Sequence, residues 1–376
     1  MKKLKIQLDT LSSICLISFS IAAVYLANSK IYAQYYDSFF SACFGSLSIK
    51  EWICDVLMAF FFLTVTMDLK KEFLIGSLAK KDQALLPLIG ALGGMIVPAG
   101  IFLLINISEP QNYRAFAVPC ATDIAFAVGV FNIVMGAKIS QPAKMFLLAL
   151  AIFDDLGAII LIASCYSNDI FLKSLLLVLI GIAMLVYHNR NSSNNVLNYF
   201  ASGVLIWVGL HICGIHATVS GVIVGAFFPA TQKTQFLQKS EGILNKIVKI
   251  GILPLFALSA CNIDFSSLNL KSFIHPITLG VFLGLFLGKQ IGIFFFTWVT
   301  IKVGSVKMIH LSWWDVYSVS VVAGIGFTMS LFIGELSFTD KGSLNFVRTG
   351  LVLASVSSIL WSLALVQIKN LLGKKC

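Results

Sequence analysis

The chain has 376 residues, 58% of them hydrophobic and only 12% charged, with a formal net charge of +10. A soluble domain carries about 25% charged residues, so this composition excludes an ordinary water-soluble globule and points to a chain whose outer surface faces lipid. The cations lie in short polar gaps between apolar runs. They form no basic patch interleaved with aromatics, so no nucleic-acid partner is expected, and this placement is how membrane topology is encoded.

In chain order, apolar runs against polar breaks predict twelve spans. They fall at about 11–29, 49–75, 85–106, 113–134, 142–166, 171–188, 195–210, 213–229, 237–260, 273–300, 315–337 and 345–368. A spanning helix needs roughly 20 apolar residues, and 195–210 and 213–229, which meet at His211 and Gly214, fall short of that. The first run follows Lys2, Lys3 and Lys5. It is long for a signal peptide and many spans come after it, which favours a retained helix. The polar stretch NRNSSNN at 189–195 reads as a loop. The expected architecture is therefore an all-α integral membrane protein in a single transmembrane domain, residues 1–376.

Lys and Arg set the orientation. With the N-terminus in the cytoplasm and twelve spans, nineteen cations fall on the cytoplasmic side and seven outside, and Lys289 is left within a span. Both termini are thus expected in the cytoplasm. The eight cysteines (Cys15, Cys43, Cys54, Cys120, Cys165, Cys213, Cys261 and Cys376) show no CxxC and no Cys/His ligand spacing. They predict neither a disulfide framework nor a metal cluster.

The informative residues are ionisable groups inside apolar runs. Each is unfavourable there by about 2.5–3.5 kcal/mol on insertion scales. Asp123 lies in PCATDIAFAVGV, Asp154 and Asp155 in LALAIFDDLGAIILIA, and Lys289 in FLGLFLGKQIGIFFF. Helix packing accounts as readily as function for one Asp–Lys pair. It accounts poorly for adjacent acids, which repel each other unless a cation or protons occupy them. Neighbouring helical positions point about 100° apart, so the two acids are expected to have different partners, one facing Lys289 and the other a watery funnel. Carboxylate oxygens suit a hard cation such as sodium, and protons compete for the same oxygens.

The backbone adds a second signal. Pro119 precedes Ala121, Thr122 and Asp123, and Gly324 and Gly326 interrupt GIGFTMSLFIG. Transporters use broken helices to bring helix ends to the membrane midplane. Asp123 could neutralise the partly positive N-terminus of a half-helix, and Lys289 a partly negative C-terminus. Ordinary glycine-mediated packing explains Gly324 and Gly326 equally well. His216 in GIHATVSG reads first as a packing residue and second as a pH-responsive one. Glu241 with Lys246 and Lys249, and Asp68 with Lys70, Lys71 and Glu72, read as solvated helix ends or as pH-responsive clusters. Asp55 sits a few residues into its span.

These motifs resemble the NhaA-type sodium/proton antiporter family. The matching strings are FFLTVTMDLKKEFLIGSL, GGMIVPA, PCATDIAFAVGV, KMFLLALAIFDDLGAIILIA, GIHATVSGVIVG, ILPLFAL, LGKQIGI and GIGFTMSLFI, in the family's order from about residue 12 to 368. The resemblance implies two inverted three-helix repeats with interrupted, crossing helices, near 85–166 and 273–368, with the remaining helices at about 11–75 and 171–260. It implies that Asp154 and Asp155 bind sodium and protons and that Lys289 pairs with the first of them. Thr122 and Asp123 would mark the crossing of the broken helices, and Asp68, His216, Glu241 and Lys246 would shape the pH response. It further implies a bacterial inner membrane, export of sodium or lithium against two entering protons, pH homeostasis and no cofactor. Asp68, Lys71 and Asn245 depart from the family's usual Glu, Arg and (in some members) His, which puts the pH profile in question. Gln290 replaces a common Pro. The loop 30–48 is shorter than in members where a β-hairpin makes the dimer, which weakens the expectation of a homodimer.

Two other classes compete. An aspartyl intramembrane protease could use Asp123 with Asp154 as a proton-sharing dyad, but it leaves Lys289 without a role and no GxGD is present. A serine enzyme built on His216 and Ser220 lacks an oxyanion hole. No enzyme is therefore expected. A sodium-coupled symporter for an organic substrate is left open by the sequence.

Overall fold

The computed structural model describes residues 2–74, 76–79, 81–135, 140–167, 174–191, 195–229, 235–266, 268–304 and 311–372. The cations Lys80, Lys138, Lys173, Lys233, Lys307, Lys374 and Lys375 lie outside the described residues, as does the centre of the NRNSSNN loop at 192–194. Among the described residues the chain is almost entirely helical. Eight helices are long and apolar enough to cross a membrane, and ten spans result if each of two bent pairs counts as one. The bent pairs are Pro110–Cys120 with Ile124–Val134, broken by 51°, and Trp313–Val322 with Phe327–Ser337, broken by 46°. The other two expected spans are helical but shorter, at Leu175–Arg190 and Val219–Phe227. By length and composition, the described residues thus give eight to ten crossings.

The chain divides into two compact units. One comprises Met1–Ala79 and Ile159–Asn262, and the other Lys80–Ala158 and Ile263–Cys376. In the first unit, helix Lys2–Asn28 is followed by Ala33–Ser41 and by a minimal hairpin that pairs Cys43 with Ser48 and Phe44 with Leu47. Gly45 turns that hairpin with a φ of 72°, a conformation in which a Cβ would be strained. Helix Ile49–Leu74 then starts from a capping box. The Ser48 hydroxyl accepts from Glu51 N, and the Glu51 carboxylate accepts from Ser48 N at 2.7 Å. A core of Met67, Val178, Leu185, Tyr199, Ile206, Leu210, Val224 and Phe228 joins this helix to 175–190, 196–213 and 219–227. Close backbone approach explains the small residues here, since a Cβ on Gly221 would lie 1.9 Å from the Ala59 carbonyl oxygen.

The second unit holds two segments with the same order of elements: a long helix, a broken pair and another long helix. The first runs Lys81–Ile105, the first bent pair and Gln141–Cys165, which continues into the other unit. The second runs Pro276–Lys302, the second bent pair and Lys341–Leu372. Helices 81–105 and 276–302 pack backbone to backbone. A Cβ on Gly292 would lie 2.2 Å from the Gly93 carbonyl oxygen, and one on Gly288 would lie 2.8 Å from Pro98 Cα. Small residues at such seams are how helices associate where no hydrophobic force separates side chain from lipid.

Candidate functional site

The site forms where the two breaks of the second unit meet. In the first bent pair the helix stops at Cys120, Ala121 is extended (ψ 143°), and helix resumes at Ile124. In the second, the break falls between Val322 and Phe327. Gly324 and Gly326 serve proximity rather than an unusual φ. Gly326 has an ordinary φ of −87°, but a Cβ there would meet the Ala121 carbonyl oxygen at 3.0 Å, and one on Gly324 would meet that of Leu285 at 2.8 Å. The freed backbone groups are satisfied across the gap. Asp123 N donates to the Ile325 carbonyl at 2.9 Å, and Ser330 Oγ donates to the Ala121 carbonyl at 3.3 Å.

Side chains complete the junction. One oxygen of the Asp123 carboxylate accepts from Phe126 N (2.9 Å). The other accepts from Thr328 N (3.0 Å) and from the Thr328 hydroxyl (2.5 Å). A single buried anion thus stands at the N-termini of helices 124–135 and 327–337, where unpaired N–H groups and the dipole favour negative charge. Lys289 Nζ donates to the Cys120 carbonyl at 2.6 Å, at the end of the preceding half-helix, and to Asp154 Oδ2 at 2.5 Å. The Thr122 hydroxyl is shared between Asp154 Oδ2 (2.7 Å) and the Ala323 carbonyl (2.9 Å).

Asp155 differs from its neighbour. It is 0% exposed, and neither of its carboxylate oxygens has a hydrogen-bond partner; Asp154 Oδ1 is likewise unpartnered. Buried carboxylate oxygens without donors are costly. Three acids (Asp123, Asp154 and Asp155) face one base, Lys289, all of them buried. That excess of acidic over basic groups and three bare oxygens on adjacent residues can accept a hard, oxygen-seeking cation or protons. The partner exchange between Asp154 and Asp155 follows their roughly 100° offset on one helix.

The remaining predicted residues lie in the first unit. His216 Nε2 is 3.9 Å from Asp55 Oδ1, and its Nδ1 lies 3.0 Å from the Thr218 hydroxyl. Glu241 pairs with Lys71 at 3.0 Å. Asp68 is half-buried and Lys246 is exposed. Lys70 Nζ donates to the Ala226 and Phe228 carbonyls at 2.7 and 2.8 Å, which caps the C-terminus of helix 219–227. Sequence reasoning missed Thr328, which holds Asp123, and the buried pair of Arg348 with Glu335 at 2.8 Å. Glu335 lies inside an expected span, and its charge was the available signal.

A family model described as Na+/H+ antiporter 1 matches residues 4–366. Relatives carrying the name Na(+)/H(+) antiporter NhaA include one from Pelagibacter ubique, 37% identical over 364 residues (94% of this chain and 93% of the relative). One from Psychrobacter cryohalolentis is 39% identical over 93% of this chain and 90% of the relative. One from Pectobacterium atrosepticum is 38% identical over 96% and 95%.

Proposed function

Because this chain belongs to the Na+/H+ antiporter 1 family, we propose that it is a secondary transporter that exports sodium in exchange for entering protons. The observation that carries the reading is the pair Asp154–Asp155, one neutralised by Lys289 and the other buried with both oxygens bare. Sodium and protons compete for these oxygens, so each occupant displaces the other. Thr122 and Asp123 fix the junction of the half-helices, and Lys289 balances part of the acidic charge. The work is protonation and coordination, so the protein is a transporter and not a bond-making enzyme. Lithium, a smaller cation that also takes oxygen ligands, is a second substrate.

From the resemblance to the NhaA-type family, we assign two protons per sodium, with a net positive charge moving inward. The membrane potential then contributes about 2.3 kcal/mol per charge per 100 mV. The two segments of like element order, near 85–166 and 273–368, are read as inverted repeats around the site, within a twelve-span protein of the bacterial inner membrane with both termini in the cytoplasm. Asp68, His216, Glu241 and Lys246 are assigned to the pH response.

The test uses everted membrane vesicles, a pre-formed proton gradient and a pH-sensitive dye. Sodium is expected to dissipate the gradient with the wild-type chain, and Asp155→Asn is expected to lose this response by about a hundredfold or more, the equivalent of about 2.7 kcal/mol. A folded, membrane-inserted wild type that responds to neither sodium nor lithium would overturn the reading and favour the organic-substrate symporter.

A further inference from the structure

Gln290 follows the site lysine directly and takes no part in the exchange described above. It is buried, at 7% exposure. Its amide N–H donates to the Phe286 carbonyl at 2.7 Å, inside the π-helical turn Gly284–Gly288 that leads into Lys289. Its amide oxygen accepts from the Tyr317 hydroxyl at 3.0 Å, and the Tyr317 oxygen accepts from Trp361 Nε1 at 3.0 Å. An indole N–H only donates and a carbonyl only accepts. The chain Trp361, Tyr317, Gln290, Phe286 is therefore satisfied in one direction only, which fixes the orientation of the amide.

The chain closes a ring around the site. Lys289 holds Asp154, Asp154 shares the Thr122 hydroxyl with the Ala323 carbonyl, and Ala323 ends the half-helix that begins at Trp313 and carries Tyr317. Tyr317 then bonds Gln290, the residue peptide-bonded to Lys289. The distance between Lys289 and the Thr122 anchor is thus set twice, once through the charged groups and once through Gln290–Tyr317. Trp361 ties the ring to helix Lys341–Leu372.

We propose that Gln290, Tyr317 and Trp361 form a positioning relay that holds the lysine helix against the second broken helix and so sets the sodium affinity of the Asp154–Asp155 site. The three are positioning residues; none touches the cation. The inference rests on the sodium/proton reading above. A site whose ligands are held by a second set of contacts binds more tightly because less ordering is left to binding.

The test measures sodium-dependent proton movement in proteoliposomes with the full chain, and compares wild type, Tyr317→Phe, Gln290→Met, the double variant and Trp361→Phe. Tyr317→Phe is expected to raise the apparent KM for sodium about fivefold, the equivalent of one lost hydrogen bond, with the maximal rate changed by less than about twofold. The double variant is expected to be no worse than the poorer single, because both cut one chain. Trp361→Phe, at the relay's more exposed end, is expected to raise the KM by a smaller factor and serves if the inner variants fail to fold. Wild-type KM in folded Tyr317→Phe and Trp361→Phe, a fall in maximal rate with KM unchanged, or KM effects that multiply independently would each overturn the relay. A wild type without exchange would overturn the relay and the function together, whereas an active wild type with indifferent variants overturns the relay alone.

Discussion

The two units use the same kinds of charged residue under opposite conditions. In the unit of 1–79 and 159–262, Lys71 and Glu241 pair with side chains 55% and 20% exposed, and Lys70 spends its charge on the end of a helix. In the unit of 80–158 and 263–376, Lys289 and Asp154 pair at 0% exposure on both sides, and Arg348 pairs with Glu335 at 6% and 9%. An exposed pair is worth about 0–1 kcal/mol. A buried pair carries a desolvation penalty that its attraction roughly offsets, and removing one partner leaves the other charge stranded. The contrast teaches where to look for transport. Charges held at the ends of helices in the first unit are inexpensive and adjustable, while those in the second are kept at a cost that packing alone does not justify.

The largest expected effect tests that contrast directly. Lys289→Ala leaves Asp154 with the Thr122 hydroxyl alone and is expected to destabilise the protein by about 3–5 kcal/mol. The double change Lys289→Ala with Asp154→Asn removes both charges and is expected to regain most of that loss. Unfolding of the purified protein in detergent, followed by a thiol-reactive or intrinsic fluorescence signal, measures both. A single variant as stable as wild type would erase the distinction between the units.

The buried charges of the second unit stood out in the sequence because apolar neighbours give an Asp or Lys no bland setting. Asp123, Asp154, Asp155 and Lys289 were legible for that reason, and Pro119, Gly324 and Gly326 marked the two breaks. What closes the breaks was not legible. Thr328 reaches Asp123 across 205 residues, and a Thr in an apolar helix carries no mark of such a partner, since its hydroxyl can bond its own helix. Arg348, one of the seven cations that the twelve-span count puts outside, carries no sign of its partner in the sequence, and only the folded packing against Glu335 buries it. Within the run 213–229 the helix occupies only Val219–Phe227 after the turn at 214–218, because apolar composition does not reveal where the chain turns out of a helix. The π-helical turns at Trp52–Leu57, Val248–Ile252 and Gly284–Gly288 have no sequence signature of their own.

A middle-sized effect separates charge from packing as the source of the difference. Both units contain a glycine pressed against a neighbouring backbone, Gly292 at 2.2 Å from the Gly93 carbonyl oxygen and Gly221 at 1.9 Å from that of Ala59, measured from a built Cβ. Neither backbone can move aside without shifting a helix. Gly292→Ala and Gly221→Ala are each expected to destabilise the protein by about 1–3 kcal/mol, by similar amounts, as read by the same detergent unfolding. A large loss in one unit only would locate the difference in packing rigidity rather than in the burial of charge.

The smallest expected effect belongs to Lys71 and Glu241. Their pair is made at 3.0 Å, but the lysine side chain is more than half exposed, at 55%, so water and salt screen it. Lys71→Ala is expected to change stability by less than about 1 kcal/mol. That change should shrink between low salt and about 0.15 M salt, where screening acts over about 8 Å. If Glu241 shapes the pH response, as assigned above, and its partner Lys71 takes part through the pair, Lys71→Ala and Glu241→Gln displace the pH profile of exchange while the maximal rate stays close to wild type. A stability loss as large as that of Lys289→Ala, insensitive to salt, would place this exposed pair in the same class as the buried one, and the contrast between the two units would then rest on the bare oxygens of Asp155 alone.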